Sequence, residues 1–294
     1  MRMAVVGSRG QLGAAVVEVC AARHDVTAFD HASLDLTDDA AVATAMDRVR
    51  PDIIINCSGY NAVDAAESHP LDALLVNAFA VRSLARVARQ SSASLVHYST
   101  DFVFDGTAST PMTEDDSPNP RGVYASSKLL GEWFAADAPR SYVLRVESLF
   151  GAATGSRAKG SLEAILEGLR AGRVVRVFVD RTVSPTYVID AARATLALLE
   201  HNSAPGLYHC VNSGFGTWLD LAMEAARLLG VSPQFEEVTL DDVALPAVRP
   251  RFCAMSNAKL LAAGISMPSW KDALARHVEE TCGPLASTKR SSDE

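Results

Sequence analysis

The chain has 294 residues, 48% of them hydrophobic and 21% charged, a composition that can bury a large core and excludes a disordered chain. With 35 acidic against 27 basic residues its net charge is −8, without the basic excess of a general nucleic-acid binder. No apolar run is long enough to span a bilayer, and the apolar start is broken by Gly7 and Arg9 with no cleavage region after it, so the expectation is a soluble, cytoplasmic protein with no membrane partner. Cys20, Cys57, Cys210, Cys253 and Cys282 are scattered, which predicts reduced thiols rather than a disulfide framework or a zinc site.

In chain order, residues 3–7 (MAVVG), 25–30, 52–59, 94–100 and 141–150 (SYVLRVESLF) read as strands: short, apolar or β-rich, each ending in turn or polar residues. Between them, residues 11–23, 39–50, 71–90 and 124–137 carry apolar positions at helical spacing. Alternating β and α elements imply right-handed crossovers, hence an α/β fold with a doubly wound parallel sheet. After Phe150 the rhythm loosens. Residues 161–172 read as a helix and 174–179 as a strand, then 184–200 as a helix with Ser184 or Thr186 near its cap. Residues 207–212 read as a strand, and 217–230 and 270–280 as helices, separated by a region rich in proline and acidic residues. The expected division is a dinucleotide-binding domain of residues 1–151 and about 176–212 and a smaller discontinuous lobe of about 152–175 and 213–286. The polar tail 287–294 is expected to fray.

Gly7, Gly10 and Gly13 form a GxxGxxG pattern between the first strand and the first helix. Glycines let the backbone turn sharply beside a ligand, and the helix N-terminus offers free N–H groups to a pyrophosphate. Asp30 ends the second strand, where a carboxylate can bind a ribose 2′-hydroxyl and favour NADH. Arg9, inside the loop, can instead pair with the 2′-phosphate of NADPH, and the sequence leaves the two cofactors open.

Tyr124 and Lys128 stand at i and i+4, on one face of a helix. A free phenol has a pKa near ~10. A neighbouring ammonium stabilises the phenolate and is expected to lower that value. The fourth strand runs out into Thr100 and Asp101 at the carboxyl edge of the sheet, where a hydroxyl can hydrogen-bond a substrate oxygen as charge grows on it. His97, within that strand, reads as buried structure rather than as a base. A dinucleotide loop and a tyrosine–lysine pair in one chain imply a nicotinamide-dependent oxidoreductase.

These residues resemble the extended short-chain dehydrogenase/reductase superfamily and, within it, the dTDP-4-dehydrorhamnose reductase family, over nearly the whole chain. The resemblance rests on GSRGQLG, NCSGYNAVDAAE, LLVNAFAV, HYSTDFVFDG, YASSKLLGE, SPTYVIDAA, LYHCVNSGFGTW and VRPRFCAMSNAKL. It implies Tyr124 as proton donor, Lys128 as its tuner and Thr100 as the polarising hydroxyl. It further implies cofactor contact or support from Gly7, Gly10, Gln11, Leu12, Gly13, Asp30, Asn77, Tyr124 and Lys128, and a sugar pocket lined by Asp101, Phe102 and Val103. Trp218 and Arg249 fall where a nucleotide diphosphate would need partners. The implied activity is hydride transfer from NADPH or NADH to the C4 ketone of a nucleotide-linked deoxysugar. A homodimer is open.

Three departures stand out. Phe102 replaces a tyrosine common in the family. Arg145-Val146-Glu147-Ser148 replaces an aromatic-bearing RTSW-like run, which alters the pocket wall. Ala14 or Ala15 stands where some members carry a glutamate for a magnesium-bridged dimer, so no metal is expected. Two other readings of the same pattern are a nucleotide-sugar epimerase or dehydratase and a non-catalytic NADP-binding subunit resembling the methionine adenosyltransferase β subunit. Phe102, where elimination would need a glutamate, disfavours the dehydratase, and the intact Thr100, Tyr124 and Lys128 disfavour a purely regulatory role.

Overall fold

The computed structural model describes residues 1–154 and 160–282. Six strands form one parallel sheet: β1 (Arg2–Val6), β2 (Asp25–Phe29), β3 (Ile53–Asn56), β4 (Ser94–Thr100), β5 (Ser141–Val146) and β10 (Gly206–His209). Their order is β10-β5-β4-β3-β1-β2, so the chain winds outward from β1 in both directions and reverses between β1 and β3. Ligands of open parallel sheets sit at the carboxyl ends of the strands beside such a reversal. The interior strands are apolar on both faces because both are covered. On one face α1 (Gln11–Ala21) packs against α8 (Val188–Glu200); on the other α2 (Asp39–Val49), α5 (Ala80–Ser91) and α6 (Val123–Ala135) pack in sequence. Two apolar cores follow, with Val5, Ile55 and Leu144 pointing into one and Ala4, Ile54 and Val143 into the other.

The expected helix at 71–90 is in three parts: after the short α3 (Val63–Ser68) come α4 (Pro70–Leu74), a π turn at Leu75–Phe79, and α5. The π turn carries Asn77. Residues 141–150 are not one strand. Ser148 takes a left-handed φ of 43°, so β5 ends at Val146 and β6 (Leu149–Phe150) pairs elsewhere, with β9 (Thr186–Tyr187). That pairing also corrects the predicted helix start: α8 begins at Val188, and neither Ser184 nor Thr186 caps it.

The remaining elements are α7 (Ser161–Arg170), β7 (Val175–Phe178), β8 (Thr182–Val183), β11 (Gly216–Thr217), α9 (Trp218–Leu229), β12 (Phe235–Val238), α10 (Ala258–Ala262) and α11 (Trp270–Cys282). β7 pairs with β12 in a separate two-stranded sheet, away from the six-stranded one. The tail 287–294 lies outside the described residues. Among the described residues no helix is long and apolar enough to cross a membrane.

Candidate active site

The glycine loop closes tightly on itself. Gly7 has φ 76°, Gly10 N–H donates to the Gly7 carbonyl at 3.0 Å, and Ser8 N–H donates to Phe29 O at 3.0 Å. A Cβ on Gly7 would stand 2.6 Å from Ser58 N, and one on Gly13 would collide with the Gly7 carbonyl. Side chains are therefore barred where β1, α1 and the 57–59 segment meet. Gln11 donates to Gly151 O at 2.5 Å and Leu12 is buried, so these two tie the start of α1 to its surroundings. Beside the loop lies a cavity of about 390 Å³ lined by Gly7, Arg9, Gly10, Asp30, Ser58 and Gly59 among others. Arg9 and Asp30 form an ion pair at 2.6 Å across its rim, Arg9 largely in solvent. Asp30 is held below its ordinary pKa, chiefly by hydrogen bonds from Ser33. Asn77 supports the cavity from behind. Its Oδ1 accepts from Tyr60 N–H at 2.8 Å and its Nδ2 donates to Ser127 Oγ at 3.0 Å, so the π turn pins the segment after β3 to α6.

A second cavity, about 330 Å³, adjoins the first and shares Gly10, Cys57, Ser58 and Asn61 with it as walls. It is lined by Thr100, Asp101, Phe102, Tyr124, Lys128 and Glu147. Each comes from the carboxyl end of a strand or from the first turns of α6. The Tyr124 hydroxyl lies beside Thr100, which favours its ionised form. Burial pushes its pKa up to about 12, opposed by Thr100 and reinforced by Asp101. The expected lowering by Lys128 is not among these influences, and desolvation sets the direction. Lys128 donates to Tyr98 O at 2.6 Å, and burial lowers its pKa to about 8 against the raising effects of Glu132 and Cys57. α6 is held by a buried bidentate pair, Arg145 to Glu132 at 2.9 and 2.8 Å, with Ser99 Oγ donating to the same carboxylate at 2.5 Å. His97 is buried against Asn56 at 3.1 Å with its pKa driven well down by burial, which suits structure and not proton transfer.

The wall departs from expectation in places. Phe102 meets Tyr124 edge-on at 5.5 Å and lies under the guanidinium groups of Arg181 (5.3 Å) and Arg249 (5.9 Å). Arg249 is paired with Asp64 at 2.8 Å. Trp218 is buried and lines a different cavity, about 360 Å³, with Arg173, Arg176 and Arg181. Val103 does not reach the Tyr124 cavity. The 3₁₀ turn at Asp101–Val103 rotates it into an apolar cluster with Phe104, Leu129, Val211 and Met255. Sequence reasoning missed the cluster beneath the wall. Carboxylate oxygens of Asp101 and Glu147 and the sulfur of Cys253 lie within 4.8 Å of one another, all three residues are buried, and Arg181 lies near them. A charged pair, Arg145 and Glu147, inside an otherwise apolar strand was its available signal.

The doubly wound sheet, the glycine loop beside its reversal and the Thr100–Tyr124–Lys128 grouping define a Rossmann protein of the extended short-chain dehydrogenase/reductase class. The chain belongs to the family described as RmlD substrate binding domain, which matches residues 1–282. It is 35% identical to the dTDP-4-dehydrorhamnose reductase of Streptomyces griseus, over 96% of this chain and 94% of the relative. It is 36% identical to a probable dTDP-4,6-dihydroxy-2-methyloxan-3-one 4-ketoreductase of Streptomyces antibioticus, over 93% of each. Among solved structures, a dTDP-4-dehydrorhamnose reductase of Clostridium acetobutylicum superposes with a TM-score of 0.89 at 30% identity, covering 96% of this chain and 99% of that one. The Bacillus anthracis dTDP-4-dehydrorhamnose reductase, solved in complex with NADP, gives 0.88 at 29%, covering 95% and 99%.

Proposed function

We propose that the protein is an NAD(P)H-dependent reductase of the C4 ketone of a nucleotide-linked 6-deoxy-4-keto sugar, of the dTDP-4-dehydrorhamnose type. The observation that carries this reading is that the two cavities adjoin, sharing Gly10, Cys57, Ser58 and Asn61 as walls, so that residues suited to a dinucleotide stand beside Thr100, Tyr124 and Lys128. The residues present fit the cofactor, since Gly7 and Gly13 let the loop pack backbone to backbone and turn sharply into the start of α1, beside a cavity lined by Gly7, Gly10 and Gly59. Gly7, Arg9, Gly10, Gln11, Leu12, Gly13 and Asp30 would hold its adenosine and pyrophosphate portion, with Asn77 in support. Lys128 and Tyr124 would face its nicotinamide end. When bound, NADPH or NADH supplies the hydride.

The chain's own residues do the rest. Thr100 donates a hydrogen bond to the ketone oxygen as charge develops on it. Tyr124 gives its proton to that oxygen. A phenol held at about 12 still donates downhill to an alkoxide, so its raised pKa does not impair the role. The Lys128 ammonium, fixed on Tyr98 O, stabilises the phenolate left behind. Asp101 and Phe102 form the sugar wall, and the arginine-lined cavity at Trp218, with Arg249 nearby in the later lobe, suits the nucleotide diphosphate. In this division the six-stranded sheet binds the cofactor, and the lobe holding β7, β12 and α9 binds the substrate.

The test is to follow NADH and NADPH absorbance with a panel of dTDP-, UDP- and GDP-4-keto-6-deoxyhexoses. Oxidation that requires a dTDP-linked ketone is the expected result. No oxidation with any of them would overturn the reading.

A further inference from the structure

Asp101 and Glu147 pose a problem that the proposed reaction leaves unsolved. Both side chains are almost wholly buried, at 3% and 1% exposure. Each has one oxygen spoken for: Asp101 Oδ1 is 3.0 Å from Thr100 Oγ1, and Glu147 Oε2 accepts from Ser184 N–H at 2.7 Å. Each has one oxygen, Asp101 Oδ2 and Glu147 Oε1, buried with no hydrogen-bond partner except the weak donor of the Cys253 thiol beside them. The two carboxyl groups lie within 4.8 Å of each other and of Cys253 Sγ. The positive charge nearest the cluster is Arg181, whose Nε donates to Pro250 O at 3.3 Å rather than to either carboxylate. Tyr124 and Lys128 line the same cavity from α6, but the Lys128 ammonium is turned to Tyr98 O and the cation acting on both carboxylates is Arg181. One guanidinium cannot offset two buried carboxylates, and like charges this close do not both ionise.

Thr100 adds a second constraint. Its hydroxyl carries one hydrogen. If Asp101 is ionised, that hydrogen goes to Asp101 Oδ1. A heavy-atom distance of 3.0 Å is equally consistent with the reverse bond, in which a protonated Asp101 donates to Thr100. Only in the reverse arrangement is the Thr100 hydrogen free to point at a substrate oxygen. Phe102 N–H also donates to Thr100 Oγ1, at 3.2 Å, so with Asp101 donating as well both lone pairs of that oxygen are used and its hydrogen is left for the side of the cavity where Tyr124 and the substrate oxygen meet.

We infer that Asp101 and Glu147 hold a single proton between them, and that this proton, by making Asp101 a donor to Thr100, aims the Thr100 hydroxyl at the substrate oxygen. Glu147 is thus a positioning residue that acts through Asp101 and Thr100. The direction of both carboxyl pKa values agrees: burial raises each, and the Asp101 charge raises Glu147 further. The shared proton stands on the geometry alone, whereas its consequence for Thr100 rests on the reductase reading.

Two measurements separate these parts. Infrared difference spectroscopy on the intact protein at neutral pH should show the carbonyl stretch of a buried neutral carboxylic acid in the wild type, and Glu147→Gln should remove it. That variant is isosteric and its amide oxygen can still accept from Ser184 N–H, so the fold is retained. A missing band in the wild type, or a band that survives Glu147→Gln, overturns the shared proton without touching the reductase reading. The second measurement is steady-state reduction. Glu147→Gln should lower kcat roughly 10²-fold, the scale of losing one oxyanion donor, with cofactor Kd unchanged. Asp101→Asn in the Glu147→Gln background places an amide donor beside Thr100 and should restore most of the loss, a rescue that a merely structural role for Glu147 would not produce. A Glu147→Gln enzyme with wild-type kcat, or a double variant no better than the single, overturns the aiming of Thr100. A wild type that shows the band but reduces no ketone upholds the shared proton, overturns its proposed consequence for Thr100, and counts against the reductase reading.

Discussion

The two adjoining cavities are built from different materials. The one beside the glycine loop is lined by Gly7, Gly10 and Gly59 and by apolar side chains such as Phe29 and Leu34, and its cation, Arg9, lies largely in solvent where it pairs with Asp30. The one around Tyr124 has a floor of buried side chains, Thr100, Asp101, Tyr124, Lys128 and Glu147 among them, several with displaced pKa values. Recognition of a phosphate needs N–H groups and space, which glycine provides without any titratable group. Proton transfer needs groups whose protonation is set by burial and neighbours. Substitutions in the second cavity should therefore cost turnover, and substitutions in the first should cost cofactor affinity.

The sharpest test of that contrast is Tyr124→Phe. It should lower kcat by up to ~10⁴-fold while NADPH binding, read by fluorescence, stays within about twofold. Retained turnover would mean that chemistry does not run through the phenol. Next in size is Glu132→Ala, which strands Arg145 in the interior. Loss of one partner of a buried pair should cost about 3–5 kcal/mol in urea unfolding. Activity should fall with it, since the pair holds the helix that carries Tyr124 and Lys128. Gly13→Ala should cost about 2–3 kcal/mol, because its methyl group meets a backbone carbonyl that cannot yield. Its kinetic effect should appear mainly in the KM for NADPH.

The same contrast explains what was legible in the sequence. The glycine loop and the tyrosine–lysine pair are local patterns, fixed by spacing along one turn and one helix, and the alternation of strands and helices dictates the parallel sheet. The buried cluster is not local. Asp101, Glu147, Arg181 and Cys253 come from four separate segments, and Glu147 stands just past the end of β5, before the left-handed turn at Ser148 leads the chain away. Periodicity made residues 141–150 one strand because both halves are apolar. Val103 was misplaced for the related reason that a 3₁₀ turn sends adjacent residues in different directions. Asn77 bridges Tyr60 and Ser127, and the π turn that aims it leaves no mark on helical spacing.

Lys128 gives the contrast a pH signature. Its pKa is lowered from 10.5 to about 8 by burial, so above about pH 8 it is neutral in the folded protein. If its charge supports Tyr124, kcat/KM for the free enzyme should fall about tenfold per pH unit beyond that point. Stability linked to the same group should move the other way. Between about 8 and 10.5 the unfolded chain binds the proton that the folded chain has released, so this contribution rises with pH. Lys128→Met should flatten both trends. A basic limb that persists in Lys128→Met would assign it to another group.

The smallest expected effect belongs to the pair of Arg9 and Asp30. Asp30 holds Arg9 at 2.6 Å and accepts from Ser33, so its carboxylate is already engaged before any ribose arrives. A 2′-hydroxyl can donate to that carboxylate, whereas a 2′-phosphate is repelled by it and attracted by Arg9. Asp30→Ala should therefore shift the ratio of kcat/KM for NADPH over NADH upward by roughly tenfold, a scale set by one hydrogen bond gained or lost. Arg9→Ala should shift it downward by a similar factor. Neither change should alter kcat at saturating cofactor, because neither side chain reaches the cavity that holds Thr100 and Tyr124. A kcat effect from either one would show that the two cavities are coupled more tightly than their construction implies.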